Sequence, residues 1–394
     1  LAWHPDHLAQ VASTMADMVE LDPITKQTPR PLASLCAILH PVLKNTEASA
    51  DDRTTVLGAL RSRKHRQAYP LLMAILPNDD FQHFNFTHEP RWRDWPHDRP
   101  DRFNNADGRK SFKRIWDWIL VDTAHKPDRC VLLAKSLRNV GRDQFLAGLE
   151  VLRLADRSQW TDDQKRLLWD ELRDLHIQHE NHGEQVWAMP ADMLNPLAEL
   201  VKQVEPNDAL SKVRWVFDGA HQFPGESVEE YERVHAEVTR TAAQHILAHS
   251  GVEGVKLLAQ QVDDPWQLGN SVGTVIDDGT SETELLVWAV PALEGKTKRF
   301  GMSLISALFV RKGWDWAERI FTTDFWGRWN SSERAVFLSS LSFTKRTWES
   351  AERSGRDVEA AYWKAVHPWG KQDEESMLYA AAKFMEHGKP LRAL

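Results

Sequence analysis

The sequence predicts an all-α fold, an extended solenoid-like array of antiparallel helix pairs. Three observations predict it. Apolar residues recur at three- and four-residue steps along nearly the whole chain, as in Tyr231, Val234, Val238, Ala242 and Ile246, and this lays one stripe along each helix. Ser, Thr or Asn followed three residues later by Glu or Gln precedes several such runs: Ser227–Glu230, Thr161–Gln164, Ser281–Glu284 and, more loosely, Asn330–Glu333. A pair of this kind satisfies two orphan amides reciprocally at a helix start. No run alternates apolar and polar residues between hairpin turns as a strand would.

Taken in order, the periodic segments fall near 5–20, 31–44, 51–62 and 65–76, then near 108–123, 128–138, 142–155, 162–180, 190–204 and 208–217. The remainder fall near 227–249, 252–261, 265–276, 282–293, 297–312, 314–321, 331–340, 346–353, 356–366 and 373–387. Short turns carrying Gly, Pro or Asp separate them, as helix-hairpin arrays require. About twenty helices with no sheet favour a stack over a single bundle. No strict repeat period emerges, so the array is degenerate.

The clearest interruption is Pro77–Asp107, which is rich in proline and has no helical period. The chain therefore reads as an N-terminal helical segment (1–77), an aromatic and Arg-rich loop (78–107) and a continuous helical array (108–394). A loop of that length is functional or disordered, and Phe84, Phe86, Trp92 and Trp95 point to an ordered, aromatic-anchored one. Both ends of the sequence read as cut, so a piece of a longer protein is expected.

Composition bounds the function. The 394 residues are 42% hydrophobic and 27% charged, which is ordinary for a folded globular chain. No apolar run is long enough to span a bilayer, and no membrane partner is expected. A net charge of −8 disfavours a general nucleic-acid binder, which would show a clustered basic excess. Cys36 and Cys130 sit in apolar helical patterns and read as buried reduced thiols, which fits a cytoplasmic location. The unusual number is 18 Trp against 4 Tyr, since Trp anchors either helix packing or a binding surface.

Catalytic motifs fail on inspection. Gly295-Lys296-Thr297 resembles the end of a phosphate-binding loop, but Val290 stands where its first glycine belongs and a helix replaces the strand before it. His245 and His249 have the helical spacing of a zinc protease without its glutamate. His176, His179 and His182 form the densest histidine cluster, yet steps of three drift about 60° per step from one helical face. The paired aspartates at 51–52, 162–163, 263–264 and 277–278 fall where carboxylates cap helices. Arg61, Arg63, Lys64, His65 and Arg66, with Arg91, Arg93, Arg99 and Arg102 among tryptophans, have the makings of a single-strand groove. Acidic Asp94, Asp98 and Asp101 blunt it. The expectation is no catalytic residue, no cofactor and no metal.

Several stretches resemble the C-terminal helical regions of bacterial antiviral ATP-binding proteins of the STAND type. They are Leu1-Ala2-Trp3 with Leu21-Asp22-Pro23, Arg30-Pro31-Leu32-Ala33-Ser34-Leu35, and His88-Glu89-Pro90-Arg91-Trp92-Arg93-Asp94-Trp95. Val213-Arg214-Trp215-Val216-Phe217-Asp218 and Tyr362-Trp363-Lys364-Ala365-Val366-His367-Pro368 complete the set. The resemblance implies a tetratricopeptide-like sensor that recognises a phage protein such as a terminase or portal. It also implies upstream ATPase and nuclease or NADase domains in the same protein, with homo-oligomerisation on activation. None of these stretches is a catalytic signature.

Protein binding by a sensor array is thus the leading expectation. The alternatives are a self-assembling scaffold and an enzyme whose site forms only in three dimensions. The expected anchors are Trp92, Trp95, Trp326 and Trp329, each in or beside a turn where no helical stripe accounts for its burial.

Overall fold

The structure, a computed structural model, describes residues 4–22, 30–43, 45–63, 66–76, 105–183, 185–218, 228–292, 294–368 and 373–392. Among the described residues there are 19 α-helices and no strand, so the fold is an all-α array. The chain divides into two compact units, Leu1–Glu205 and Pro206–Leu394.

The first unit holds α1 (Pro5–Leu21), α2 (Pro31–Leu39), α3 (Ala50–Ser62), α4 (Ala68–Ile75), α5 (Asn105–Thr123), α6 (Pro127–Ser136), α7 (Arg142–Leu154), α8 (Asp162–Glu180) and α9 (Ala191–Val204). Most of these helices pack on those one and two places along the chain, such as α1 on α2 and α3, and α5 on α6 and α7. This is the local pattern of a stacked array. Their inward stripes, including Leu35, Leu57, Ile115, Phe145 and Leu172, are fully buried. Prolines occupy the first position of α1, α2 and α6, where a missing N–H costs nothing. Thr161 and Gln164 form the expected capping box on α8.

Buried Arg53 holds the connection from α2 to α3. Its guanidinium donates to the carbonyls of His40 (2.7 Å), Thr46 (2.8 Å) and Leu43. Burial lowers its pKa to about 10.

The second unit holds α10 (Ala209–Arg214), α11 (Val228–Gln261), α12 (Pro265–Val275), α13 (Gly279–Ala289), α14 (Gly295–Phe321), α15 (Asp324–Arg328), α16 (Ser331–Ser339), α17 (Lys345–Arg353), α18 (Arg356–Ala365) and α19 (Glu374–Glu386). Two of these are broken helices. Gly251 (φ 59, ψ −158) bends α11 and Gly313 (φ 68, ψ −164) bends α14, in a region of φ/ψ space open essentially to glycine alone. Both breaks fall where the sequence predicts a turn between separate helices.

α12 packs tightly on α14. A Cβ on Gly269 would lie 2.3 Å from the Phe300 carbonyl oxygen, and one on Gly273 would lie 2.6 Å from the Ala307 Cβ. The two backbones therefore approach as only glycine permits.

α3 and α4 pack on α5 inside one unit, through Arg61 on Asp122 (2.7 Å) and the Tyr69 hydroxyl with that of Thr123 (2.7 Å). The boundary between the two units falls at 205/206. One expectation is revised: Ser281–Glu284 is no capping box. Asp278 caps α13, accepting from the amides of Thr280 (3.2 Å) and Ser281 (2.9 Å), and Ser281 lies within the helix.

Candidate functional site

Trp326 and Trp329 are buried, at 8% and 5% exposure, which corrects the expectation that they stand out as anchors. The short helix α15, capped by Thr323, turns both indoles inward onto Phe337, at ring separations of 5.7 and 5.9 Å. Arg334 lies over Trp326 and donates to its carbonyl (3.1 Å). These tryptophans are core. The other two expected anchors, Trp92 and Trp95, lie outside the described residues, as does nearly all of the 78–107 loop.

Each of the suspect catalytic groups has a partner nearby. Lys296 donates to the Gln261 carbonyl (2.9 Å). The rings of His245 and His249 stack on one another at 4.1 Å, and a ring nitrogen of His249 lies 2.8 Å from the His245 carbonyl. His179 accepts from the Met189 amide (3.1 Å), while His179 and His182 flank exposed Trp187 at 5.6 and 5.3 Å. His176 turns away, toward Glu180 (3.4 Å). Among the described residues, no group of three His, Cys, Asp or Glu is placed to hold a metal ion. Both cysteines are free and buried, and burial pushes the Cys36 thiol up to about 12 and that of Cys130 to about 11.

Two further features lie in the first unit. Asp170 bridges Arg166 (2.7 Å) and Arg173 (3.3 Å) along α8, and Arg173 lies over Trp169 at 4.7 Å. Burial pushes the Asp170 carboxyl up to about 6 against the pull of the two arginines. The trio joins residues of a single helix. A cleft of about 330 Å³ between α1 and α3 is edged by Gln10, Ser13, Thr14 and Arg63 over Val56 and Leu60. Its described lining residues include neither a carboxylate nor an imidazole, the groups that proton transfer would need.

The remaining candidate is α19. Asp373 caps it, accepting from the Ser376 amide (2.8 Å), and Glu374 and Glu375 fill its first turn, where carboxylates suit the helix dipole. Its inner side is an aromatic seat. Phe384 meets Trp363 edge-on at 5.2 Å and lies near-parallel to Phe343 at 6.2 Å, and Tyr379 stacks on Trp348 at 5.5 Å. Lys383 ties the helix down, donating to Glu359 (2.6 Å) with Glu352 3.6 Å away. Glu352 also accepts from the Tyr379 hydroxyl, and burial with that bond pushes the phenol up to about 12.

The outer side of α19 is apolar and open. Met377 is 54%, Leu378 66% and Met385 62% exposed, with Ala382 exposed and Ala381 half-buried beside them. Spaced at three and four residues, they share one face. A methionine-rich apolar surface of this kind adapts its shape readily to a neighbour. The sequence reading missed it, although apolar residues all round 377–385 were the available signal.

No family model, curated protein or solved structure matches this chain.

Proposed function

We propose that this chain is a protein-binding helical array, the sensor segment of a larger bacterial anti-phage protein of the STAND type. In this reading it is a degenerate tetratricopeptide-like array that recognises a viral protein such as a terminase or portal. It relays that binding to upstream ATPase and effector domains, does no chemistry itself and works in the cytoplasm.

The observation that carries the binding reading is the open apolar face of α19, set on a helix whose other side is firmly seated. Exposed apolar patches rimmed by polar groups are the ordinary mark of a protein contact. The charged groups described above bind helix ends, loops and one another, which supports a framework in preference to a reaction site. Among the described residues no helix is long and apolar enough to cross a membrane, consistent with a partner met in solution.

The test is direct binding of the purified chain to a panel of purified phage terminase and portal proteins, read by biolayer interferometry. Saturable binding of one panel member with a Kd of about 1 μM or tighter, equivalent to roughly −8 kcal/mol, is expected. A panel in which none binds would overturn the sensor reading.

A further inference from the structure

We infer that the outer face of α19 is the docking site for a basic amphipathic helix of the partner; the inference deepens the protein-binding reading and rests on it. α19 is apolar on two opposite sides. Ala380 and Phe384 are buried on one, while Met377, Leu378, Ala382 and Met385 stand open on the other. A helix apolar all round is ordinarily covered all round, and among the described residues nothing covers this face. Spacing at three, four and seven residues is the register in which one helix lies along another. Two methionines let the face fit side chains of varied shape.

Charge selects the occupant. The charged residues bordering the open face on this helix are carboxylates: Glu374 and Glu375 in the first turn and Glu386 in the last, all exposed. Lys383 is the helix's one cation and is turned to the seated side, held by Glu359 at 2.6 Å. A second copy of α19 would set carboxylates against carboxylates, whether parallel or antiparallel. An anionic lipid surface would be repelled in the same way. A helix with Lys or Arg flanking an apolar stripe satisfies both the stripe and the rim.

The probe is a fluorescein-labelled amphipathic peptide of Leu and Lys, titrated with the whole chain and read by anisotropy. The same peptide with Glu in place of Lys is the charge control. The Leu/Lys peptide should bind, and the Leu/Glu peptide should bind at least about tenfold more weakly, given rim-charge complementarity. Leu378→Asp and Met385→Asp should each weaken binding by about tenfold or more, as loss of an anchor does. Both residues are exposed, so the melting temperature should hold. Glu375→Gln with Glu386→Gln should reduce both affinity and its salt dependence.

Equal binding of both peptides, or no effect of the Asp substitutions, would overturn the inference. A dimer that Leu378→Asp dissociates would overturn it in favour of a second copy, and capture by phosphatidylcholine vesicles would overturn it in favour of a membrane. A terminase or portal that binds wild type and the Asp variants alike would overturn the docking face while leaving the sensor reading intact.

Discussion

The indole N–H of Trp316, just past the bend of α14 at Gly313, donates to the buried carboxylate of Glu282 on α13 across 2.6 Å. Lys312, on the near side of the bend, donates to the other oxygen of the same carboxylate. One side chain from α13 thus fixes the angle between the two halves of α14. Removing it strands an indole N–H and an ammonium together. Glu282→Ala should cost about 3 kcal/mol, the scale for breaking a buried pair by taking one partner. Glu282→Gln, which keeps an acceptor for Trp316, should cost about half as much, near the scale of one charged hydrogen bond. Urea unfolding measures both; equal losses would mean that the charge on Lys312 plays no part.

The backbone approach of α12 to α14 predicts a contrast between glycines. Gly269→Ala would push a methyl into the Phe300 carbonyl, 2.3 Å away, and should destabilise by about 2–3 kcal/mol or more as overpacking does. Gly279→Ala meets nothing within 4 Å at the exposed start of α13 and should change stability by less than about 0.5 kcal/mol. Similar values for the two would contradict the close approach.

Acid should weaken the first unit through His40. Burial, and secondarily the charge of Arg53, lowers its pKa from 6.5 to about 4. Between those values the unfolded chain takes up a proton that the folded chain refuses, so stability is lost as pH falls through that window. The shift corresponds to roughly 3 kcal/mol at about 1.36 kcal/mol per unit. His40→Gln should flatten the dependence of the urea midpoint between pH 7 and about 4.5, below which carboxylates dominate. An unchanged slope would place the acid sensitivity elsewhere.

Much of the framework is legible in the sequence, and the failures have physical causes. Thr161–Gln164 and Asn330–Glu333 are capping boxes, and Asp264 and Asp278 are caps, because a cap is written in neighbouring residues, although at Ser281–Glu284 the same spacing falls one turn late and caps nothing. The breaks at Gly251 and Gly313 are visible for the same reason. Tertiary facts are not local. The five-residue helix α15 is too short for a period to register, so Trp326 and Trp329 read as loop residues when they are core. The face of α19 escaped because an apolar pattern reveals what a helix can bury, not which side its neighbours leave uncovered.

Burial of those two tryptophans carries its own prediction. Trp326→Ala and Trp329→Ala should each destabilise by about 3–5 kcal/mol, as large aromatic truncations in a core do. Thermal and urea unfolding measure it. A loss under about 1 kcal/mol would return them to the surface.

The most direct test of binding through α19 is calorimetric titration of the terminase and portal panel against two proteins. One is the wild-type chain; the other carries Met377→Asp, Leu378→Asp and Met385→Asp together. The predicted result is binding by wild type with a negative heat-capacity change, the signature of apolar burial, and loss of that binding in the triple variant at an unchanged melting temperature. Binding by the folded triple variant as tight as that of wild type would contradict the role of α19, and silence from the whole panel would contradict the sensor function itself.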